Sequence, residues 1–244
     1  MKFPKNKTIV CRIDQAVKIY YYVYMKKTLA FAALSFLLVA MSFAQVVTAN
    51  EFFKSVSDKY AGLKDYEVDL DISTEGRNMQ GHASYKMPQL LRIDFSSPAN
   101  QVFLFNGEEL LIYLPNQAAI LEQKISADSG ANVATAQGLS LLRRYYSVAY
   151  ETGQAPVPLE EGSSTMVVNL ILYRRSAAES FTSIKISILP DSKLIRRIEA
   201  KTPSSGVYKF DYYNYKLNSG IPNERFQYDP PSNANNYNNF LLSE

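Results

Sequence analysis

The sequence predicts a mainly β protein in which about ten antiparallel strands form one long, strongly bent sheet, interrupted once by helical material. From residue 66 onward, apolar and polar residues alternate with the period of two that half-buried strands require. Turns of a few residues separate these runs, so consecutive strands must be antiparallel neighbours. One helical pattern precedes the strands and a second interrupts them.

Residues 25–44 have the three parts of a secretory signal peptide. Lys26 and Lys27 form the basic part, Leu29–Val39 the apolar part, and cleavage is expected after Ala44 or Ala49. The apolar stretch from residue 29 to 44 has 16 residues, fewer than the ~20 that cross a bilayer as a helix. We therefore favour cleavage and a periplasmic protein over an uncleaved membrane anchor.

Residues 1–24 hold the only cysteine of the chain, Cys11. We interpret them as a mis-assigned N-terminal extension, with translation starting at Met25; a genuine cytoplasmic extension is the alternative. Residues 45–244 have a length that fits a single domain.

The mature part is expected to open with an amphipathic helix over Asn50–Leu63, because large apolar residues recur there at helical spacing. Gly62 marks its end. Six strands are then predicted, with Asn106-Gly107 as a hairpin signal between two of them: Tyr66–Glu75, Gly81–Met87, Leu90–Ser96, Gln101–Phe105, Glu109–Leu114 and Ala118–Gln123.

Residues 125–162 break the alternation, and Leu139–Tyr146 predict a short helix with an apolar face. Strands resume at Thr165–Arg174, Phe181–Leu189, Leu194–Thr202 and Gly206–Leu217. From about residue 230 the chain is rich in Asn and predicted to be loose, although Phe240 and the two leucines after it could dock.

Composition excludes several functions. From residue 45 onward there are 19 Lys and Arg against 22 Asp and Glu, a net charge of −3, which does not favour nucleic-acid binding. Without cysteine, this part has neither disulfides nor thiolate metal sites.

His82 is the only histidine, and we assign it to the outward face of a strand. Glu67, Asp69 and Asp71 alternate with apolar residues, as a half-solvated strand requires. We expect no enzyme activity, no metal and no cofactor.

Strand parity predicts a concave face without charged residues. This pattern is expected both for a filled core and for a cavity that holds an apolar ligand. The residues assigned to this face are Val68, Leu70, Ile72, Leu91, Ile93, Phe95, Leu104, Ile112, Leu170, Ile184, Ile186, Ile188 and Phe210.

Several motifs, taken in order, resemble those of the periplasmic outer-membrane lipoprotein carriers, the LolA family. They are the helix over residues 52–63, the segment from Gly81 to Leu90, the segment from Asp94 to Pro98, the hairpin from Phe105 to Tyr113, and the closing segment from Ile186 to Pro231. The resemblance covers nearly the whole mature chain. Each motif alone is weak, and their order and spacing carry the resemblance.

The resemblance implies an incomplete, half-open β-barrel with helices as a lid or plug. It also implies a monomeric periplasmic chaperone that binds the acyl chains of lipoproteins in an apolar cavity and carries them from the inner to the outer membrane. The implied partners are acylated lipoproteins, an inner-membrane ABC-type transporter that loads them, and an outer-membrane acceptor in some bacteria.

The implied lid comprises the residues Met87, Leu139, Leu141, Leu142 and Tyr145. Met87 departs from the family, which has an Arg before the following proline that locks the lid. Since Met donates no hydrogen bond, the lid is held otherwise, by Lys86 or by packing, or it opens more easily.

Two alternatives remain open at the level of the sequence. A non-enzymatic sensor of lipid or lipoprotein could have a similar fold, although such sensors usually carry an additional domain. A periplasmic hydrolase would need a nucleophile beside His82, and no such pattern is present.

Overall fold

One sheet of thirteen strands dominates the structure, a computed structural model that describes residues 47–124 and 135–240. The predicted mainly β fold with helices is confirmed, and the sheet is not closed into a barrel. The strands are β1 (Asp65–Thr74), β2 (Arg77–Lys86), β3 (Leu90–Ser97), β4 (Val102–Phe105), β5 (Glu109–Leu114), β6 (Ala119–Lys124), β7 (Tyr146–Tyr150), β8 (Val157–Pro158), β9 (Met166–Arg174), β10 (Ser183–Ile188), β11 (Ile195–Lys201), β12 (Val207–Leu217) and β13 (Asn235–Asn238).

Across the sheet the order is β13-β6-β5-β4-β3-β2-β1-β12-β11-β10-β9-β7, and β8 pairs with β9. All pairs are antiparallel except β13 with β6, which is parallel. The first six strands are therefore a meander, and β1 joins them to the second meander through β12. The ten predicted strands all form, with ends shifted by a few residues.

Three strands were not predicted from the sequence pattern. β7 continues directly from the second helix, and β8 has only two residues. The Asn-rich tail, for which composition predicts little order, forms β13 along β6, and Phe240 packs against the main core. Leu241 and Leu242 lie outside the described residues, as do the signal sequence with Ala44 and the extension with Cys11.

Helix α1 (Ala49–Ala61) begins with a capping box. The Thr48 hydroxyl accepts a hydrogen bond from Glu51 N at 3.2 Å, and the Glu51 carboxylate accepts one from Thr48 N at 2.9 Å. The Glu51 carboxylate accepts hydrogen bonds from the Thr48 backbone N–H and from the Thr48 hydroxyl, and these two, the backbone one first, lower the pKa of the Glu51 carboxyl. A capping box satisfies amide groups that have no partner within the helix, so the start of α1 is fixed at Thr48.

Helix α2 (Ala136–Tyr145) begins at Thr135, whose hydroxyl accepts a hydrogen bond from Gly138 N at 3.1 Å. Both helices bury their apolar residues against one face of the sheet, and α1 also contacts α2. Within the described ranges, neither helix has the length and hydropathy needed to cross a bilayer.

Candidate functional site

The apolar face predicted from strand parity is one continuous buried cluster that includes both helices. Of the predicted residues, Ile93, Ile112 and Phe210 are partly buried and pack against this cluster. Those buried within it are Val68, Leu70, Ile72, Leu91, Phe95, Leu170, Ile184, Ile186 and Ile188. In the structure, the side chains of α1 and α2 occupy the space above this face.

Leu104 is the exception, and its assignment to this face is wrong. Leu91 pairs with Phe105 and Arg92 pairs with Leu104 in the register of β3 and β4. Leu104 therefore lies on the opposite face of the sheet, where it packs with Ile221 and Phe226 in a separate cluster.

The residues of β4 that do face the main cluster are Phe103 and Phe105. The four residues of this strand are all apolar, so its sequence has no alternation from which to assign a face. Its pairing with β3 supplies the missing information.

The predicted lid residues of α2 differ in their burial. Leu139 and Leu142 are buried in the main cluster, and Leu141 is partly buried. Tyr145 is 40 % exposed, and its ring centroid is 5.4 Å from the Arg144 guanidinium carbon. The helix therefore contacts the sheet through its leucines, and its last turn lies at the surface.

A side-chain hydrogen bond connects α2 with the turn between β2 and β3. Gln89 Nε2 donates to Gln137 Oε1 at 3.0 Å. Gln89 follows the cis bond Met87–Pro88 by one residue. Sequence reasoning missed this pair because an amide in a turn carries no signal of a long-range partner.

Among the described residues, the hydrogen bonds of the Lys86 side chain do not reach α2. The side chain of Met87 is exposed. Lys86 Nζ donates instead to Ile221 O at 2.6 Å and to Asn223 Oδ1 at 2.7 Å, in the segment that follows β12. Of the two ways considered for holding the lid, packing is therefore the one that the contacts support, together with the Gln89–Gln137 hydrogen bond.

A hydrogen-bonded pair of tyrosines joins α1 to the sheet. Tyr60 Oη is 3.1 Å from Tyr215 Oη and accepts a hydrogen bond from Ile195 N at 3.1 Å. Tyr215 Oη donates to Ile195 O at 2.9 Å. Burial, the largest effect, raises the pKa of Tyr60 to about 12 and that of Tyr215 well above its usual value. The hydroxyls are therefore neutral and hydrogen-bonded, which fixes α1 on the sheet.

His82 lies on the opposite face of the sheet from this cluster, as assigned from the sequence. Its Nδ1 is 2.8 Å from Asp69 Oδ1, and its Nε2 is 3.4 Å from Glu67 Oε1. The hydrogen bond from His82, the largest effect, lowers the pKa of Asp69. In the part of the chain that the structure describes, no group of three or more His, Cys, Asp or Glu side chains is arranged to hold a metal ion.

The opposite face also holds the segment after β12 through a cluster of charged side chains. Arg92 Nη2 donates to Asp94 Oδ1 at 2.8 Å, and Arg225 Nη2 donates to the other oxygen of the same carboxylate. Arg92 Nη1 also donates to Gln227 O at 2.9 Å. These contacts tie residues 223–228 to the face of β3 that lies opposite the main cluster.

Comparison with known proteins gives a family match. Residues 69–229 match the family described as outer membrane lipoprotein carrier protein LolA. An outer-membrane lipoprotein carrier protein of Francisella tularensis is 22 % identical over 160 residues, which are 64 % of this chain and 70 % of that protein.

Two other similarities were found. A 154-residue stretch is 32 % identical to part of an isoleucine–tRNA ligase of Dehalococcoides mccartyi; it is 59 % of this chain and spans only 14 % of that protein. An uncharacterized conserved protein of Thermus thermophilus has a similar fold, with a TM-score of 0.51 and 13 % sequence identity over 76 % of this chain and 98 % of that one.

Proposed function

This chain belongs to the outer membrane lipoprotein carrier protein LolA family, and on that basis we propose that it is a periplasmic lipoprotein carrier. In this proposal, acyl chains of a lipoprotein enter between α2 and the concave face of the sheet, and the protein carries them from the inner to the outer membrane. It acts as a binding protein without catalysis.

The observation that carries the proposal is the way in which α2 is attached. Its leucines Leu139 and Leu142 are buried against the same apolar cluster that parity predicted. Among the described residues, the sheet is also hydrogen-bonded to α2 through Gln89 with Gln137 and through Arg175 N with Tyr145 O. A helix held by apolar side chains can be exchanged for an apolar ligand, because the ligand covers the surface that the helix leaves.

The magnitudes favour this exchange. Exposing two buried leucines costs about 5 kcal/mol. An acyl chain of about 15 methylenes gains about 12 kcal/mol on burial, at roughly 0.8 kcal/mol per methylene. One acyl chain therefore offsets the displacement of α2, and the smaller net gain lets the cargo leave again.

The site residues of the proposal follow from these contacts. The acyl-chain site comprises the predicted concave-face residues without Leu104, and Phe103 and Phe105 are added. Leu139, Leu141 and Leu142 form the movable cover. Tyr145 is retained as the surface end of that cover. Met87 is retained because it lies in the same turn as Gln89.

The proposed location requires removal of the signal sequence over residues 25–44. Cleavage after Ala44 is supported over cleavage after Ala49 by the contacts of the residues between them. Val47 O accepts hydrogen bonds from Tyr150 Oη at 3.0 Å and from Gln154 Nε2 at 2.6 Å, and Thr48 caps α1. Cleavage after Ala49 would remove Val47 with its two hydrogen bonds and Thr48 with its helix cap.

The proposed partners are acylated lipoproteins as cargo, an inner-membrane ABC-type transporter that loads them, and an outer-membrane acceptor. The carrier itself is proposed to be a monomer. Without an energy source in the periplasm, direction depends on the loading transporter and on an acceptor that holds the cargo more tightly.

The test is capture of a lipoprotein by the affinity-tagged protein after coexpression. A matched cargo has its lipidated cysteine replaced by serine and differs only in the absence of acyl chains. We expect capture of the acylated form alone, and acyl chains in an organic extract of the complex by mass spectrometry. Equal capture of both forms would contradict the proposal.

A further inference from the structure

Four arginines are brought together where the end of α2 meets the end of β9. Arg143 and Arg144 lie in the last turn of α2, and Arg174 and Arg175 end β9 or follow it. Tyr146 pairs with Arg174 in the ladder between β7 and β9. Arg175 N donates to Tyr145 O at 2.9 Å, which joins the two arginine pairs.

These guanidinium groups have no acidic partners among residues 47–124 and 135–240. Arg175 Nε donates to Tyr146 O at 3.2 Å, and Arg174 Nη1 donates to Glu179 O at 3.4 Å, both backbone oxygens. The carboxylate of Glu179, in the same loop, forms no ion pair with them; the ion pairs of the described residues lie elsewhere. Their positive charge is therefore available to a partner.

Aromatic and apolar side chains are exposed at the same end of the sheet. Tyr173 is 54 % exposed, and Tyr145 is also exposed. Tyr173 pairs with Ser183, Ser183 with Lys201, and Lys201 with Val207, so these residues form a row across the ends of four neighbouring strands. We name this surface the arginine–tyrosine end: Tyr145, Tyr173, Lys201, Val207 and the four arginines.

Four basic residues of a chain with a net negative charge lie together at this end. From residue 45 onward the chain has 19 basic and 22 acidic residues, and removing the four arginines leaves 15 against 22. An anionic surface is expected to attract this end, because the four guanidinium groups outnumber the carboxylates described near them, which are Glu179 in the same loop and Glu75 beside Gly206. A local excess of positive charge orients the protein on an anionic surface and also strengthens its binding to that surface.

We propose that the arginine–tyrosine end docks the protein on bilayers that contain anionic phospholipid. Guanidinium groups match phosphate oxygens with paired hydrogen bonds. Exposed tyrosines have an apolar ring and a polar hydroxyl, which suits the headgroup layer of a membrane. Membrane docking goes beyond cargo binding. Its purpose rests on the proposed function: docking through the last turn of α2 would bring the proposed cover to the membrane.

Vesicle flotation tests the proposal without cargo. The protein is expressed from the full chain, its N-terminus is established by mass spectrometry, and it is mixed with vesicles of phosphatidylcholine alone or with phosphatidylglycerol. We expect binding only to the anionic vesicles, and loss of binding at high salt because ions screen the charges. Binding of equal strength to neutral vesicles would overturn the proposal.

Two variants locate the contact. Arg143→Gln/Arg144→Gln and Arg174→Gln/Arg175→Gln should each weaken binding to anionic vesicles by about tenfold or more. The control Lys64→Gln/Lys216→Gln removes the same charge from exposed positions elsewhere, and should change binding by less than about threefold. The exposed pair in α2 keeps the test decisive if the variant in β9 fails to fold.

Equal loss in the control and the arginine variants would overturn the proposal, as would absence of binding to the anionic vesicles. In the latter case, arginine-dependent binding to polyglutamate would assign this end to an acidic polypeptide instead. Since no lipoprotein is present, vesicle binding can fail while capture of acylated cargo succeeds, and the reverse also holds. The two proposals are therefore distinguished by separate measurements.

Discussion

Gln89 and Gln137 join the turn between β2 and β3 to the first turn of α2 through one hydrogen bond of 3.0 Å between their side chains. Gln89 lies two residues beyond Met87, and Met87 is the position at which the family resemblance implies an arginine that locks the lid. A neutral amide pair contributes about 1 kcal/mol, less than a charged, forked donor. The cover of the concave face is therefore expected to open more easily here than with an arginine.

Gln89→Ala is expected to accelerate release of bound acyl chains. Loss of about 1 kcal/mol from the closed state corresponds to a rate increase of roughly fivefold, if the bond is broken before release. The measurement is stopped-flow displacement of a fluorescent diacyl lipopeptide, with Gln80→Ala, an exposed position at the far end of β2, as the control. A rate that does not differ from that of the control would count against this role of the pair.

Met87→Arg is expected to have the opposite effect. Met87 is exposed, so an arginine can be accommodated there, and its guanidinium can donate several hydrogen bonds to the cover. We expect slower release of the same lipopeptide, and no such effect from Met87→Leu. Unchanged release by the arginine variant would contradict the interpretation that the methionine loosens the lid.

Most of the sheet could be predicted because its strands alternate and its turns are short. Strand β5 (Glu109–Leu114) has the predicted bounds. The sequence did not predict which face a residue lies on where apolar and polar residues do not alternate, as in the apolar strand containing Leu104. It also did not predict a strand that forms only because a neighbouring strand pairs with it. Asn235–Asn238 has four exposed residues, three of which are Asn and have low β propensity, and it becomes a strand through pairing with β6.

The site divides in the same way. Parity placed Val68, Leu70 and Ile186 on the concave face because burial imposes a period on a strand. The Gln89–Gln137 contact and the Tyr60–Tyr215 contact join residues 48 and 155 positions apart. Such contacts depend on how distant elements meet, which local composition does not encode.

Tyr60 should make the fold sensitive to alkaline pH. Its folded-state pKa is about 12, raised from 10.0 mainly by burial. Below pH 10 the tyrosine is protonated in both states, and its full contribution to stability is present. From pH 10 to 12 the unfolded chain loses the proton first, so the free energy of unfolding falls by about 3 kcal/mol.

Urea unfolding at pH 9, 10 and 11 measures about the first half of this fall, roughly 1.4 kcal/mol. Tyr60→Phe should reduce the pH dependence, although it lowers stability at pH 9 by roughly 1–3 kcal/mol because Ile195 N loses its acceptor. Tyr237→Phe, at an exposed position, is the control. An unchanged slope with pH in the Tyr60 variant would show that other groups cause the effect.

The secreted protein should begin at Gln45. Thr48 and Val47 contribute the cap of α1 and a backbone acceptor, so a chain that begins at Asn50 would be less stable. Thr48→Ala should lower the free energy of unfolding by about 1 kcal/mol, whereas Ser57→Ala within the helix should have little effect. Intact-mass determination of the secreted protein checks the start, and a mass corresponding to Asn50 as the first residue would contradict it.

The most direct test of the account fixes α2 to the sheet. In a Cys11→Ser background, Gln89→Cys/Gln137→Cys is cross-linked with a short bis-maleimide, and binding of a fluorescent diacyl lipopeptide is measured before and after, with each single-cysteine variant treated alike. We expect the cross-linked protein to lose binding while the uncross-linked double variant and the treated single variants keep it. Undiminished binding by the cross-linked protein would contradict the claim that acyl chains enter the concave face by displacing α2.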